Sequence, residues 1–217
     1  MSLRRIAIVL GINRKTVVRK RQVLAQQAIL KHGEWLKGKY FDYVQFDDLE
    51  TIEHSKMKPV TVTLFVDHER KILGFDLARI KAKGLLAKLS EKKYGKRPNE
   101  APKMRRELFS KMTEIIQPDA IFESDEHPGY PHLIKKYFPR ANHLTHKSIR
   151  SAVAGQGELK KARYDPLFKI NHTFAMLRAN VNRLIRRTWN TTKDLQALKE
   201  HLILYMVFHN EVLTSSS

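Results

Sequence analysis

Cysteine is absent from the 217 residues, which excludes disulfides and cysteine-ligated zinc within this chain. Long apolar runs are absent as well. No segment approaches the roughly 20 apolar residues that cross a bilayer, and no amphipathic stretch is long and aromatic enough to anchor on one, so no membrane partner is expected. Acids are scarce: 22 Asp and Glu stand against 41 Lys and Arg, a formal charge of +19. A surplus of that size implies a polyanionic partner, nucleic acid before any membrane surface. The basic, partly apolar beginning is interrupted by Gly11, Ile12 and Asn13, so no secretory signal is expected and the expected compartment is the cytoplasm. What is present, at 42% hydrophobic, is enough for one main core with a small accessory unit.

Residues 43–75 carry the pattern around which the chain is organised. Tyr43, Val44 and Phe46 make a short apolar run that ends in Asp47 and Asp48. The β-branched run Val60 to Val66 follows, then the polar turn Asp67, His68, Glu69 and a further run from Lys71 to Phe75. These are expected to be strands, the last two forming a hairpin. A carboxylate leaving the end of a strand inside a sheet is badly placed for solubility and well placed to hold a cation.

Residues 2–24 space Ala7, Gly11, Ile12, Val17 and Val18 so that two short helices can pack across a tight turn, with Asn13 capping the second. That pattern resembles a helix-turn-helix, and it is expected to expose Arg14, Lys15, Thr16, Arg19, Lys20 and Arg21 to a major groove and its phosphates. Helical spacing continues over 22–36 and then passes through Gly33 and Gly38 as a linker. Helices are expected over 78–93, with Leu85, Leu86 and Leu89 on the apolar side, over 104–116, and over 132–138. A basic loop over 94–102 separates the first two. Short strands are expected at 120–122, running into a second acid, Asp125, and at 141–144. A basic loop fills 145–164. Behind Asp165 as a cap, Pro166 opens a helix whose Ile170, Phe174, Leu177, Val181 and Leu184 repeat at three and four, and a last helix covers 193–208.

Two acids at the ends of different strands on a basic protein suit Mg²⁺-assisted phosphodiester chemistry, because hard cations take oxygen ligands. The bland reading is that both acids cap loops. Along the 165–193 stretch, Arg178, Arg183 and Arg186 are candidate phosphate contacts, with Arg187 beside them. His127, next to the second acid, is a candidate for orienting substrate. His143 and His146 have a spacing that suits a metal, without a defined third ligand.

The runs FDDLETIEHSKMKP, ESDEHPGYP, DPLFKINHTFAMLRANVNRLIRRTWNTTK and LYMVFHN resemble the catalytic region of bacterial insertion-sequence transposases of the DDE class. The resemblance covers most of residues 40–210. It implies an α/β, ribonuclease H-like domain over 39–217, a mixed five-stranded sheet flanked by helices, behind a helix-turn-helix DNA-binding segment and linker over 1–38. It further implies a DNA transposase that cleaves and joins strands with Mg²⁺ or Mn²⁺, holding the metal on Asp47 and Asp125. Partners implied are double-stranded DNA, at element ends and target, and a homodimer or higher assembly on it. In that family a glutamate on a late helix completes the site. Here the matching position is Asn171, which at about 100° per residue sits at the border of the apolar stripe while His172 points nearly opposite it. Asp165 or Glu158 could supply the missing carboxylate. The rival expectation is a catalytically inactive DNA-binding remnant or repressor of a mobile element.

Overall fold

The computed structural model describes residues 2–147, 164–184 and 191–214. Helices α1 (Leu3–Val9) and α2 (Arg14–Leu36) precede strands β1 (Phe41–Ile52), β2 (Pro59–Val66) and β3 (Ile72–Arg79). Helices α3 (Leu85–Tyr94) and α4 (Ala101–Met112), strand β4 (Ile116–Asp125), helix α5 (Tyr130–Tyr137) and strand β5 (Asn142–His146) follow. Helices α6 (Phe168–Asn180) and α7 (Leu195–Phe208) close the described chain, with a 3-10 turn at Asn182–Leu184 between them and a π turn at His209–Leu213.

The five strands form one mixed sheet in the order β3-β2-β1-β4-β5. The hairpin side is antiparallel, β1 with β2 and β2 with β3, while β1 with β4 and β4 with β5 run parallel. Both faces are covered, which is why Val60 to Val66 is buried without a break. Val44, Phe46, Phe65 and Phe122 pack under α4 and α5. Leu49, Val62, Leu64 and Val66 pack on the other side against Ile170, Phe174 and Leu177 of α6 and Leu198 and Leu202 of α7. The Phe46 ring is the hub of the first face, 5.1 Å from Phe65, 5.3 Å edge-on from Phe109 and 4.8 Å from Tyr130. Such ring pairs add about 0.5–1.5 kcal/mol each beyond area burial. Gly74 lets α4 lie close on β3, since a Cβ there would stand 2.7 Å from Cε of Met112.

Several local boundaries differ from the sequence expectation. The first strand does not end at its acids: Leu49, Thr51 and Ile52 prolong it, paired with Val62, Val60 and Pro59 of β2, so Asp47 lies in mid-strand. Ala78 belongs to β3 opposite Thr61, not to a helix. The leucines of α3 do not face the core, since Leu85 is 95% and Leu89 55% exposed; the buried residue of that helix is Ser90, whose hydroxyl donates to the Met57 carbonyl at 2.6 Å. Val181 and Leu184 lie past the end of α6, yet both are buried and carry its apolar stripe onward.

At the N-terminus, Gly11 with φ +60° turns the chain and the Asn13 carboxamide accepts the Lys15 N–H at 2.8 Å, starting α2. The helix then runs 23 residues without interruption, absorbing 22–36. Its Ala25 and Ala28 pack against Ile203 of α7. Arg21, expected at a DNA groove, is instead buried at 7% exposure and donates from Nε to Glu200 at 2.6 Å. Arg21 shares a helix face with Val17, Ala25 and Ala28, the buried face of α2 that packs on α7, and a charge on that face needs a counter-charge.

Breaking that pair by Arg21→Met leaves the buried Glu200 without its ion-pair partner, and is expected to lower stability by about 3–5 kcal/mol in urea unfolding. Arg21→Met combined with Glu200→Leu is expected to recover most of the loss.

Candidate metal and nucleic-acid site

Parallel pairing of β1 with β4 sets the site. Gln45 stands opposite Glu123, so two residues further on, on the same face, Asp47 stands beside Asp125. Alternation gives Asp47 the side of Gln45 and Leu49, the side covered by α6, and sends Asp48 to the other. Asp48 is accordingly held by the Arg105 guanidinium of α4 and by the Thr63 hydroxyl of β2. It is a structural ion pair.

Each acid of the pair is fixed by the turn after β4. The His127 backbone N–H donates to Asp125 Oδ1 at 3.0 Å, and the Tyr130 hydroxyl donates to Asp47 Oδ1 at 3.4 Å. Tyr130 is fully buried, and burial together with Asp48 and Asp47 holds its hydroxyl well above the usual tyrosine range, so it stays a donor. The His127 imidazole stacks on Tyr130 at 4.6 Å and its Nδ1 accepts the Gly129 N–H at 3.1 Å. Its ring therefore braces the turn. Burial, and next the charge of Asp125, push the Asp47 carboxyl up to about 7. Two carboxylates so placed repel each other, and a cation between them relieves both burial and repulsion.

Asn171 sits in the second turn of α6, half-buried, and its amide donates to Asp165 Oδ2 at 3.0 Å. The same Asp165 accepts the Leu167 N–H at 3.1 Å on its other oxygen, but α6 starts only at Phe168, with Leu167 at its N-cap position and no side-chain cap. Pro166 and Asp165 therefore lie in the turn before the helix and not at its first turn and cap as expected. His172 is half-buried, 2.9 Å from the Arg70 guanidinium. His143 and His146 separate to opposite faces of β5: His143 lies against Ser124 and the Phe46 ring, His146 toward Glu123. Among the described residues no group of three His, Cys, Asp or Glu is placed to hold a metal ion. Of the expected site residues, Asp47 and Asp125 are brought close enough to interact, while the Asn171 amide is held by Asp165.

The basic candidates divide. Arg14, Lys15, Thr16 and Arg19 are exposed along the first turns of α2, and Arg178 is exposed at the end of α6. Arg183 is half-buried and donates to His201 Nδ1 at 3.2 Å, close to Arg21 and Glu200, so its guanidinium takes part in packing. Arg186, Arg187, Glu158 and most of the 145–164 loop lie outside the described residues. Sequence reading missed the polar group beneath the acids. Tyr43, Gln45 and Glu123 share hydrogen bonds there, and the signal was a glutamine set between the apolar Val44 and Phe46.

A carboxyl raised above its ordinary value near 3.8 favours the folded state fully only below that value, and the contribution is lost as pH rises through about 7. Without divalent ions, wild-type stability is expected to fall between pH 5 and pH 8, and Asp47→Asn to remove on the order of 2–3 kcal/mol of that fall in urea titrations at the two pH values. No family model matches the chain, and no curated protein does.

Proposed function

We propose that the protein is a DNA transposase of the DDE class, cleaving and joining strands at the ends of an insertion element. The observation that carries this reading is the half-buried pair Asp47 and Asp125, on adjacent parallel strands of a protein with charge +19, whose mutual repulsion helps raise the Asp47 carboxyl. The strand order, two antiparallel pairs beside two parallel ones, is compatible with a ribonuclease H-like fold. The sequence resemblance supplies the finer assignment. The α1–turn–α2 unit, with its exposed Arg14, Lys15, Thr16 and Arg19, suits the helix-turn-helix part of that reading.

The donor set fits a hard divalent ion, because Asp47 and Asp125 offer carboxylate oxygens and a cation removes the repulsion that raises Asp47. Asn171 adds a neutral oxygen. Mg²⁺ or Mn²⁺, when bound, supplies Lewis-acid stabilisation of charge on the phosphoryl group and activation of the attacking hydroxyl. The protein's own part is to hold the carboxylates through Tyr130 and the His127 N–H, and to hold the DNA backbone through the exposed bases of α2 and Arg178. An assembly of two or more chains on the DNA ends completes the reading. One observation favours a second reading, a DNA-binding protein without catalysis: the third position is an amide, which leaves the site one negative charge short.

Nicking of supercoiled DNA with Mg²⁺ or Mn²⁺ tests the choice. Wild type is expected to nick, Asp125→Ala to lose about a thousandfold or more, and Asn171→Ala to lose at least about tenfold. DNA binding that weakens steeply with salt, with no nicking by wild type in either metal, overturns the enzyme reading and supports the second.

A further inference from the structure

We infer that Gln45 positions the start of α6 over the acid pair, acting as a helix cap reached from the sheet. The inference deepens the metal-site reading of Asp47 and Asp125 and rests on it. Gln45 has no exposed surface and lies two residues before Asp47 on the same face of β1. Its Oε1 accepts the N–H of Ile170 at 3.0 Å. Its Nε2 donates to the Pro166 carbonyl at 2.7 Å and to Glu123 Oε2 at 2.6 Å, and stands 2.9 Å from the Tyr43 hydroxyl.

Ile170 is the third residue of α6, so its N–H is one of those that a helix cannot satisfy within itself. The residue just before α6, Leu167, has no side chain able to cap it, and the carboxamide of Gln45 does so from across the layer. A carboxamide is the one neutral side chain that accepts from Ile170 and donates to Pro166 and Glu123 together. Leucine or methionine of similar length would leave those buried groups without partners, and glutamate would set its charge against Glu123. Tyr43 also donates to Glu123, and Lys169 stands 3.5 Å from that hydroxyl. β1, β4 and α6 are thus tied at one point directly beneath Asp47.

Asn171 follows Ile170, and Asp165 precedes Pro166. The clamp therefore sets where the carboxamide of Asn171 and the carboxylate of Asp165 stand relative to Asp47. Gln45 touches no reacting atom and is a positioning residue.

The test compares wild type with Gln45→Met, Gln45→Glu, and Gln45→Glu combined with Glu123→Gln. It reads Mn²⁺ affinity by electron paramagnetic resonance, amide exchange at Ile170, and kcat against KM for nicking. Gln45→Met is expected to weaken Mn²⁺ binding about tenfold and to speed exchange at Ile170 while exchange in α7 stays as in wild type. It is expected to lower kcat by about ten- to a hundredfold, with KM for DNA within twofold. Gln45→Glu keeps an acceptor for Ile170 but sets its charge against Glu123. The double variant removes that repulsion and places an amide donor opposite the new carboxylate while the Pro166 carbonyl stays without its donor, and is expected to regain part of the Mn²⁺ affinity that Gln45→Glu loses. A wild type that binds Mn²⁺ and a folded Gln45→Met within twofold of it overturn the inference, whatever the exchange. If Gln45→Met does not fold, the double variant decides in its place, and failure to exceed Gln45→Glu overturns the inference. If wild type binds no Mn²⁺, the metal-site reading has failed, and exchange at Ile170 alone decides the clamp: unchanged exchange in Gln45→Met overturns it, faster exchange supports it.

Discussion

Alternation along β1 is the constraint on which the rest of the molecule depends. Phe46 is fixed among Phe65, Phe109, Phe122 and Tyr130 on one face, so its neighbours Gln45 and Asp47 must leave on the other. A slip of one residue would exchange these sets, burying two polar side chains among aromatic rings and exposing the hub of the core. The aromatic cluster thus fixes the direction of the acid. Leu49 and Val44 hold the same register further along the strand, each buried on the side its parity demands.

The two halves of the sheet do different work around that strand. The antiparallel half is continuous apolar structure, with Val62, Leu64 and Val66 under the late helices. The parallel half brings strands side by side pointing the same way, so that Asp47 and Asp125 fall level with one another. Parallel strands need crossovers, and the β4 to β5 connection supplies the turn whose His127 N–H and Tyr130 hydroxyl hold the acids. Asp47 and Asp48, adjacent in sequence, consequently have unlike surroundings. Asp48 has a guanidinium partner; Asp47 has burial and a second carboxylate, which is why its carboxyl rises to about 7.

A second buried polar assembly ties α2 to the sheet layers. Arg21 and Glu200 pair beneath the surface, Gln196 donates to the other oxygen of Glu200 at 3.2 Å, and Arg183 with His201 packs alongside. Burial and these two guanidinium groups push the His201 imidazole down to about 4, so it takes part as a neutral ring. His32 extends the contact, its Nε2 3.0 Å from the Leu73 carbonyl. The exposed bases of α2 and the acids of β1 are therefore carried by one connected framework of helices and strands.

Elements whose causes are local were legible along the chain. The unbroken β-branched run of β2, the Asn13 cap, the Asp165 carboxylate before α6 and the strand-ending Asp125 all follow from residues within a few positions of each other. Their signals are propensity, capping and period, which act over one turn or one strand. That β1 continues past Asp47 was not legible there, because its end is set by pairing with β2. The same holds for Arg21, drawn inward by a glutamate 179 residues away, for the parting of His143 and His146, and for Gln45, whose partners lie on β4 and at the start of α6. Each depends on groups distant in sequence. Whether a polar side chain is solvated or buried turns on a partner that only the folded chain brings within about 3 Å.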